Sequence, residues 1–204
     1  ACSAEPSAQP PVDSGQARVA DSIAPLPADS IARPRVPLVP TPVPLRGLYV
    51  NRWAAIGQKI FRLIDVAKRT EVNALVIDVK DDRGFLLYPS EVPLASDIGA
   101  DARTPVIMPM TPSRMRSILD TMRAHGIYPI ARIVVVKDPI LAKKKREWGI
   151  QRRTNGKPWL DKSGNPWLDP HQPGLWDYAA DRAEQADDLG FSEIQLDYVR
   201  FPHA

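Results

Sequence analysis

The chain of 204 residues has a single cysteine, Cys2, which excludes an internal disulfide and any cysteine-based metal cluster. No apolar run approaches the ~18 residues that a membrane-spanning helix requires. The excess of positive charge is small, +3 in all, and the basic residues are scattered apart from Lys143-Lys144-Lys145-Arg146. That run, beside Glu147 and Trp148, reads as the solvated face of a short helix. A nucleic-acid partner would want a basic stripe with interleaved aromatics, and none is present. The Gly-x-Ser-x-Gly elbow, the Walker loop, the dinucleotide Gly-x-Gly-x-x-Gly and the His-Glu-x-x-His pair are all missing. These absences leave a cofactor-free hydrolase, or no enzyme at all.

Proline is abundant and uneven: ten of the 22 prolines precede Leu45. Residues 1–45 are rich in Pro, Ala and Ser without sustained periodicity, and such a stretch buries too little apolar surface to offset its ordering entropy. It reads as a disordered tether. Ala1-Cys2-Ser3 at its head is the pattern of a bacterial lipoprotein whose signal peptide has been removed, although trimming of the start accounts for it equally well. The expectation is export to the cell envelope or beyond, with membrane attachment through a lipid on Cys2. Residues 46–204 have the size of a compact domain.

Strand and helix patterns alternate along those residues. Arg46 to Trp53 is a strand, Gln58 to Thr70 an amphipathic helix with Ile60, Phe61, Ile64 and Ala67 on its stripe, and Val72 to Lys80 a second strand. Asp81 to Met110 is too long for a simple connection. Thr111-Pro112 opens a helix that closes at His125-Gly126. Ile127 to Val136 is the third strand. A second excursion, Lys137 to Pro170, precedes a helix from about Leu175 to Leu189, and a fourth strand begins at Glu193. The order β-α-β-α-β-α-β with right-handed crossovers puts the helices outside and both long excursions on the rim where parallel strands end.

Strand alternation sorts the polar residues. Tyr49 and Asn51, then Asp78 and Lys80, then Arg132, then Gln195 and Asp197 fall on one face of successive strands. A strand buried on both faces should be a near-continuous apolar run, so these are exceptions to expectation. In a (β/α)8 barrel, functional residues sit at the C-terminal strand ends, and these groups would converge at its mouth.

The segment Gly190-Phe191-Ser192-Glu193-Ile194-Gln195-Leu196-Asp197-Tyr198-Val199-Arg200-Phe201-Pro202 closely resembles the signature GFDEIQFDYVRFP of a bacterial family of glycoside hydrolase-like TIM barrels. Ser192 stands where Asp is usual and Leu196 where Phe is usual. The resemblance extends back to about Arg46 and implies the N-terminal half of a TIM barrel, an α/β fold with about its first four strands present. It further implies hydrolysis of glycosidic bonds in a poly- or oligosaccharide, with Asp197, on the signature aspartate, as the leading catalytic carboxylate. A binding or cell-envelope module without turnover, and an inactive truncated fragment, remain the competing readings.

Glycoside hydrolysis ordinarily needs two carboxyl groups across the scissile bond. The alternative for Asp197 is a structural ion pair with Arg200 or Arg132, and a neighbouring cation would suit a nucleophile more than a proton donor. For the second carboxylate the candidates are Asp78, Asp81, Asp82 and Asp138. Asp78 is the foremost, although a salt bridge to Lys80 is an equal alternative. Asp81-Asp82-Arg83-Gly84 reads first as a solvated turn, and Asp138 before Pro139 as a helix cap. In related barrels an acidic residue often lies on a later strand, beyond the four read here. The spacing of Asp78, Asp81 and Asp82 lacks the pattern of a calcium loop, so no metal is expected.

Residues 156–170 repeat Pro-Trp-Leu-Asp around Lys-Ser-Gly-Asn, the pattern of a hairpin with a short turn. Trp159 and Trp167 would then lie together, either as a platform for the apolar face of a sugar or as anchors of the loop on the rim. His171 would orient a ligand or cap the next helix. Tyr49, Asn51, Lys80, Arg132, Gln195 and Arg200 complete the expected substrate-binding set.

Overall fold

The computed structural model of the protein describes residues 39–101 and 110–202. The Pro-rich segment through residue 38, with Cys2 and most of the expected tether, lies outside the described residues, as do residues 102–109 of the first excursion. Four strands, β1 (Gly47–Val50), β2 (Ala74–Lys80), β3 (Tyr128–Val134) and β4 (Glu193–Asp197), form one sheet in the order β1-β2-β3-β4. Every neighbouring pair is parallel.

β1 and β3 end earlier than their sequence patterns suggest, whereas β2 ends at Lys80 as expected, and a side-chain cap explains the first case. Arg46 to Trp53 reads as continuous strand, yet α1 (Arg52–Ile56) begins inside it, because the Asn51 side chain accepts from the Ala54 backbone N–H at 2.9 Å. A short polar side chain that satisfies an otherwise unpaired helix donor outcompetes the extended conformation there. α2 (Lys59–Arg69) follows, burying Ile60, Ile64 and Ala67.

The excursion after β2 is not without structure. α3 (Pro93–Ile98) sits within it, opened by Pro93 and closed by Gly99 in the left-handed conformation, φ 73°. Six residues are too few to show a helical period, which is why the pattern gives no warning of it. α4 (Pro112–Ala124) starts as expected: Thr111 caps it by accepting from the Arg114 N–H at 3.2 Å. α5 (Pro139–Lys144) and one turn of 3-10 helix over Arg146–Trp148 carry the basic run, and α6 (Pro173–Leu189) ends at Gly190 with φ 105°. Among the described residues no helix is long and apolar enough to cross a membrane.

One face of the sheet makes the main core. Val50, Leu75, Ile77, Val79, Ala131 and Ile133 pack against Ile60 and Ile64 of α2, Met115, Ile118, Leu119 and Met122 of α4, and Ala186 and Leu189 of α6. Each large apolar side chain fully buried in this way contributes about 1.5–3 kcal/mol. On the opposite face an apolar cluster lies at the N-terminal end, where Ala74, Tyr128 and Ile130 pack with Val76 and Val39. Residues just before β1 are stitched under that end: Thr41 Oγ1 meets the Tyr128 hydroxyl at 3.1 Å, and the Asn73 side-chain amide donates to the Pro44 carbonyl at 2.8 Å. The packed chain therefore reaches back at least to Val39, rather than beginning at Arg46.

Towards the C-terminal ends the same face turns polar, and there Lys80 departs from its expected place. A register shift between Asp78 and Lys80 breaks the alternation, as a bulge does by inserting an extra residue. Lys80 is 2% exposed, and its ammonium donates to the Val134 carbonyl at 2.6 Å and pairs with Asp138 at 2.8 Å. Asp138, fully buried, caps α5 by accepting from the Leu141 N–H at 2.9 Å. The salt bridge expected between Asp78 and Lys80 is replaced by this one. Removing one partner of a buried pair strands the other charge. Lys80→Met should therefore cost about 3–5 kcal/mol in urea denaturation, and the double variant Lys80→Met/Asp138→Asn should cost less than the sum of the two single changes.

Candidate active site

Asp78 on β2, Arg132 on β3 and Asp197 on β4 bring their side chains together near the C-terminal ends of the strands. Asp78 and Arg132 are register partners, and Asp197 lies level with Val134, two residues further along β3. The Arg132 guanidinium spans both carboxylates. Its Nη1 donates to Asp78 Oδ1 at 2.5 Å, its Nε to Asp197 Oδ2 at 2.7 Å, and its Nη2 lies 2.6 Å from that same oxygen. Tyr49 on β1 closes the cluster by donating its hydroxyl to Asp78 Oδ2. The guanidinium lies beside the Tyr49 ring, 5.4 Å from its centroid, and 6.0 Å from that of Tyr198, where the ring faces attract a cation. Charge-assisted hydrogen bonds of this length are roughly twice as strong as neutral ones.

The two carboxyl groups are driven in opposite directions. Burial pushes the Asp78 carboxyl above the usual aspartate range, and the hydrogen bonds from Tyr49 and Arg132 offset that only in part. For Asp197 burial is again the largest single influence and acts upward. The Tyr198 backbone N–H, the Arg132 guanidinium and the charge of Arg200 together outweigh it and hold the group below the usual range. Burial and the adjacent Asp78 raise the Tyr49 phenol as well. The two carboxyls are thus displaced apart, one towards holding its proton and the other towards its charge, a split of the kind that acid–base chemistry on a pair of carboxyls uses.

Two further ion pairs stand just past the ends of β1, β2 and β3. Arg52 Nε holds Asp81 Oδ2 at 3.1 Å and stacks on Trp53, 4.5 Å from its centroid. Asp81 is buried rather than solvated, although it does shape a turn, accepting from the Arg83 and Phe85 N–H groups. Asp82 pairs with Lys137 at 2.6 Å. Asp82 and Lys137 each stand just beyond the C-terminal end of a neighbouring strand, so the order of the chain already brings Lys137, absent from the sequence candidates, beside Asp82.

The excursion after β3 folds as two short antiparallel turns, bridged at Gly149 with Leu168, Gln151 with Pro158 and Leu160 with Pro166. Asp161 accepts from the N–H groups of Ser163 and Asn165, and Gly164 takes φ 77° to complete the expected Lys-Ser-Gly-Asn turn. Trp167 is 4% exposed, donates its indole N–H to Asp161 Oδ2 at 3.1 Å and packs obliquely on Tyr198 at 5.7 Å. Trp159 is partly buried in the same apolar cluster. Both tryptophans take the anchoring place rather than that of an open platform.

The remaining sequence candidates scatter around the centre. Asn51 spends its carbonyl oxygen capping α1, and Gln195 is exposed in register with Arg132. The Arg200 guanidinium lies 5.2 Å from the Tyr198 ring and 5.4 Å from that of Trp167. His171 is exposed, its Nδ1 2.9 Å from Asp169 Oδ1 and its ring 5.6 Å from that of Phe201. Among the described residues no three His, Cys, Asp or Glu side chains gather as a metal site.

A four-stranded parallel sheet with its polar groups at the C-terminal strand ends is the TIM-barrel type of α/β fold, and solved structures agree. The chain is similar to a hypothetical protein from Ruminiclostridium thermocellum, 36% identical over 76% of this chain and 78% of that one, with a TM-score of 0.66. It also resembles the chitobiase of Flavobacterium johnsoniae (16% identity, 74% of this chain, 23% of that one, TM-score 0.54). A third likeness is the exo β-N-acetylglucosaminidase of Vibrio harveyi (16% identity, 72% and 26%, TM-score 0.52). The chain thus spans about a quarter of the length of those two enzymes, and at such identities they show the fold alone. No functionally curated protein matches it by sequence. Residues 47–204 match the family described as "Putative glycosyl hydrolase domain". The chain belongs to that family, and its domain is glycoside hydrolase-like.

Removing the bridging cation tests the electrostatics directly. In Arg132→Ala, Asp197 loses its main charged partner while burial still acts upward, so its carboxyl should titrate at higher pH than in the parent, followed by carboxyl-carbon NMR. The linkage has a definite sign. A folded-state value held below the unfolded one contributes stability that is present above the unfolded aspartate value of ~3.9 and is lost as pH falls through the folded value. The contribution of Asp197 to the stability gap between parent and variant should accordingly be present at neutral pH and shrink on acidification.

Proposed function

We propose that this domain hydrolyses glycosidic bonds in a poly- or oligosaccharide, with Asp197 as the ionised carboxylate and Asp78 as the protonated one. The observation that carries the reading is the single guanidinium shared by two carboxyls whose affinities for a proton are displaced in opposite directions. An oxocarbenium-like transition state needs a carboxylate below the anomeric carbon and a proton for the leaving oxygen. Asp197, at the rim with its side chain 38% exposed, suits the first role. Asp78, deeper and inclined to keep its proton, suits the second. An exported chain held through a lipid on Cys2 would meet such a polysaccharide at the cell envelope.

A carbohydrate-binding module without turnover is the second reading, and one observation favours it. Both oxygens of Asp78 are already engaged, by Tyr49 and Arg132, and those of Asp197 by Arg132 and the Tyr198 N–H. Carboxylates satisfied in this way also describe a structural ion cluster.

Assay of the parent, Asp197→Asn and Asp78→Asn on a polysaccharide panel, reading reducing sugar, separates the two. Hydrolysis by the parent with a loss of about 100- to 10,000-fold in each variant is the expected result. The kcat/KM profile of the parent should be a bell whose acid limb, set by Asp197, lies below the ordinary aspartate value of ~3.9 and whose alkaline limb, set by Asp78, lies above it. If the parent releases no sugar and Asp197→Asn binds oligosaccharides as the parent does, the binding module replaces the enzyme.

A further inference from the structure

Among the described residues only one that is not glycine has a positive φ, and it is Tyr198, at 55°. A left-handed conformation costs a bulky L-residue on the order of 1–2 kcal/mol, and strain of this kind persists only where the surroundings over-determine it. Tyr198 directly follows Asp197, the last residue of β4. Its backbone N–H donates to Asp197 Oδ1 at 2.6 Å, and that hydrogen bond is foremost among the influences that lower the Asp197 carboxyl.

The ring is held from several sides. Trp167, anchored through Asp161, packs on it at 5.7 Å. The Lys137 ammonium lies 5.3 Å from its centroid, and the guanidinium groups of Arg200 and Arg132 at 5.2 and 6.0 Å. Trp167 reaches Tyr198 from the excursion after β3, and the Ile150 N–H ties that excursion together by donating to the Trp167 carbonyl at 2.9 Å. Of these groups Arg132 hydrogen-bonds Asp197 and Arg200 acts on it through its charge.

We propose that Tyr198 is a positioning residue: the Trp167 loop and the flanking cations clamp its ring, the clamp holds the backbone left-handed, and that backbone turns an N–H onto Asp197. The device gives Asp197 Oδ1 a backbone donor and leaves Oδ2 to Arg132. This gives the long excursion after β3 a task at the site, through Trp167. It rests on the reading of Asp197 as the reacting carboxylate only for its catalytic consequence; the effect on the Asp197 proton stands without it.

Three variants of the full chain distinguish backbone from packing. Tyr198→Phe keeps the ring. Tyr198→Ala and Tyr198→Gly both remove it, and they differ in that glycine takes φ 55° without strain whereas alanine does not. The measurement is the Asp197 titration by carboxyl-carbon NMR in the absence of sugar, with folding verified by near-UV circular dichroism. The expected order of Asp197 acidity is Phe equal to the parent, Gly next, and Ala last, its carboxyl rising towards the ordinary range. Trp167→Leu, which loosens the clamp with residue 198 intact, should shift Asp197 in the same direction as Tyr198→Ala. Equal titration in the Gly and Ala variants, or an unmoved Asp197 in Tyr198→Ala, overturns the proposal. Because no substrate enters the measurement, a parent that fails to hydrolyse sugar leaves this result intact.

Discussion

The Arg132 guanidinium between Asp78 and Asp197 is the interaction on which the polar half of the sheet depends. A buried cation is tolerated only when paired and hydrogen-bonded, and the two carboxylates come from the strands on either side of its own. The pairing draws the ends of β2, β3 and β4 to one point. It is also unbalanced: two anions face one cation. Burial, with the Asp81 charge acting the same way, displaces the deeper carboxyl upward, while the Tyr198 N–H, Arg132 and Arg200 hold the rim carboxyl below its usual range. Tyr49, the contribution of β1, satisfies the Asp78 oxygen that Arg132 does not reach. Each strand of the sheet thereby adds one contact to a single electrostatic unit, counting the Tyr198 N–H just past β4.

A second buried pair, Lys80 with Asp138, does for the loops what Arg132 does for the strands. The register shift at the end of β2 sends Lys80 under the loop after β3, where Asp138 both receives its charge and starts α5. Gly84 is confined by the same group: its φ is 87°, and a Cβ there would stand 2.2 Å from Asp138 Oδ1. The turn after β2 and the helix after β3 are thus locked to each other, with Lys137 and Asp82 joined just above. On that footing the Trp167 loop reaches Tyr198.

Much of the architecture was legible in the chain. Thr111 before Pro112, Gly126 and Gly190 mark helix ends by rules of backbone conformation that need no tertiary context. Period-2 alternation placed Asp78, Arg132 and Asp197 on one face of their strands, which is where their side chains meet. The same rule misplaced Lys80, because a bulge changes the parity of everything after it and leaves no trace in a short apolar run. It also ran β1 past Asn51, where a cap 2.9 Å long outweighs strand propensity. The two tryptophans looked like a platform or an anchor with nearly equal reason; burial of Trp167 and the bond to Asp161 put them in the loop.

Periodicity, with the few residues suited to caps and left-handed turns, carried the four strands, α2, α4 and α6, and the polar face of the sheet; α1, set by the Asn51 cap, and the six-residue α3 lay beyond its reach. Which carboxylate met which cation was decided only by the tertiary structure. Asp78 had Lys80 two residues away and met Arg132 from 54 residues on; Asp197 had Arg200 close by in sequence and met the same guanidinium. Charge pairing depends on distance and burial, and both are set by strand register and by where water is excluded. The left-handed turn at Tyr198 belongs to the same class: its N–H bonds the adjacent Asp197, and the groups packed around its ring come from distant parts of the chain.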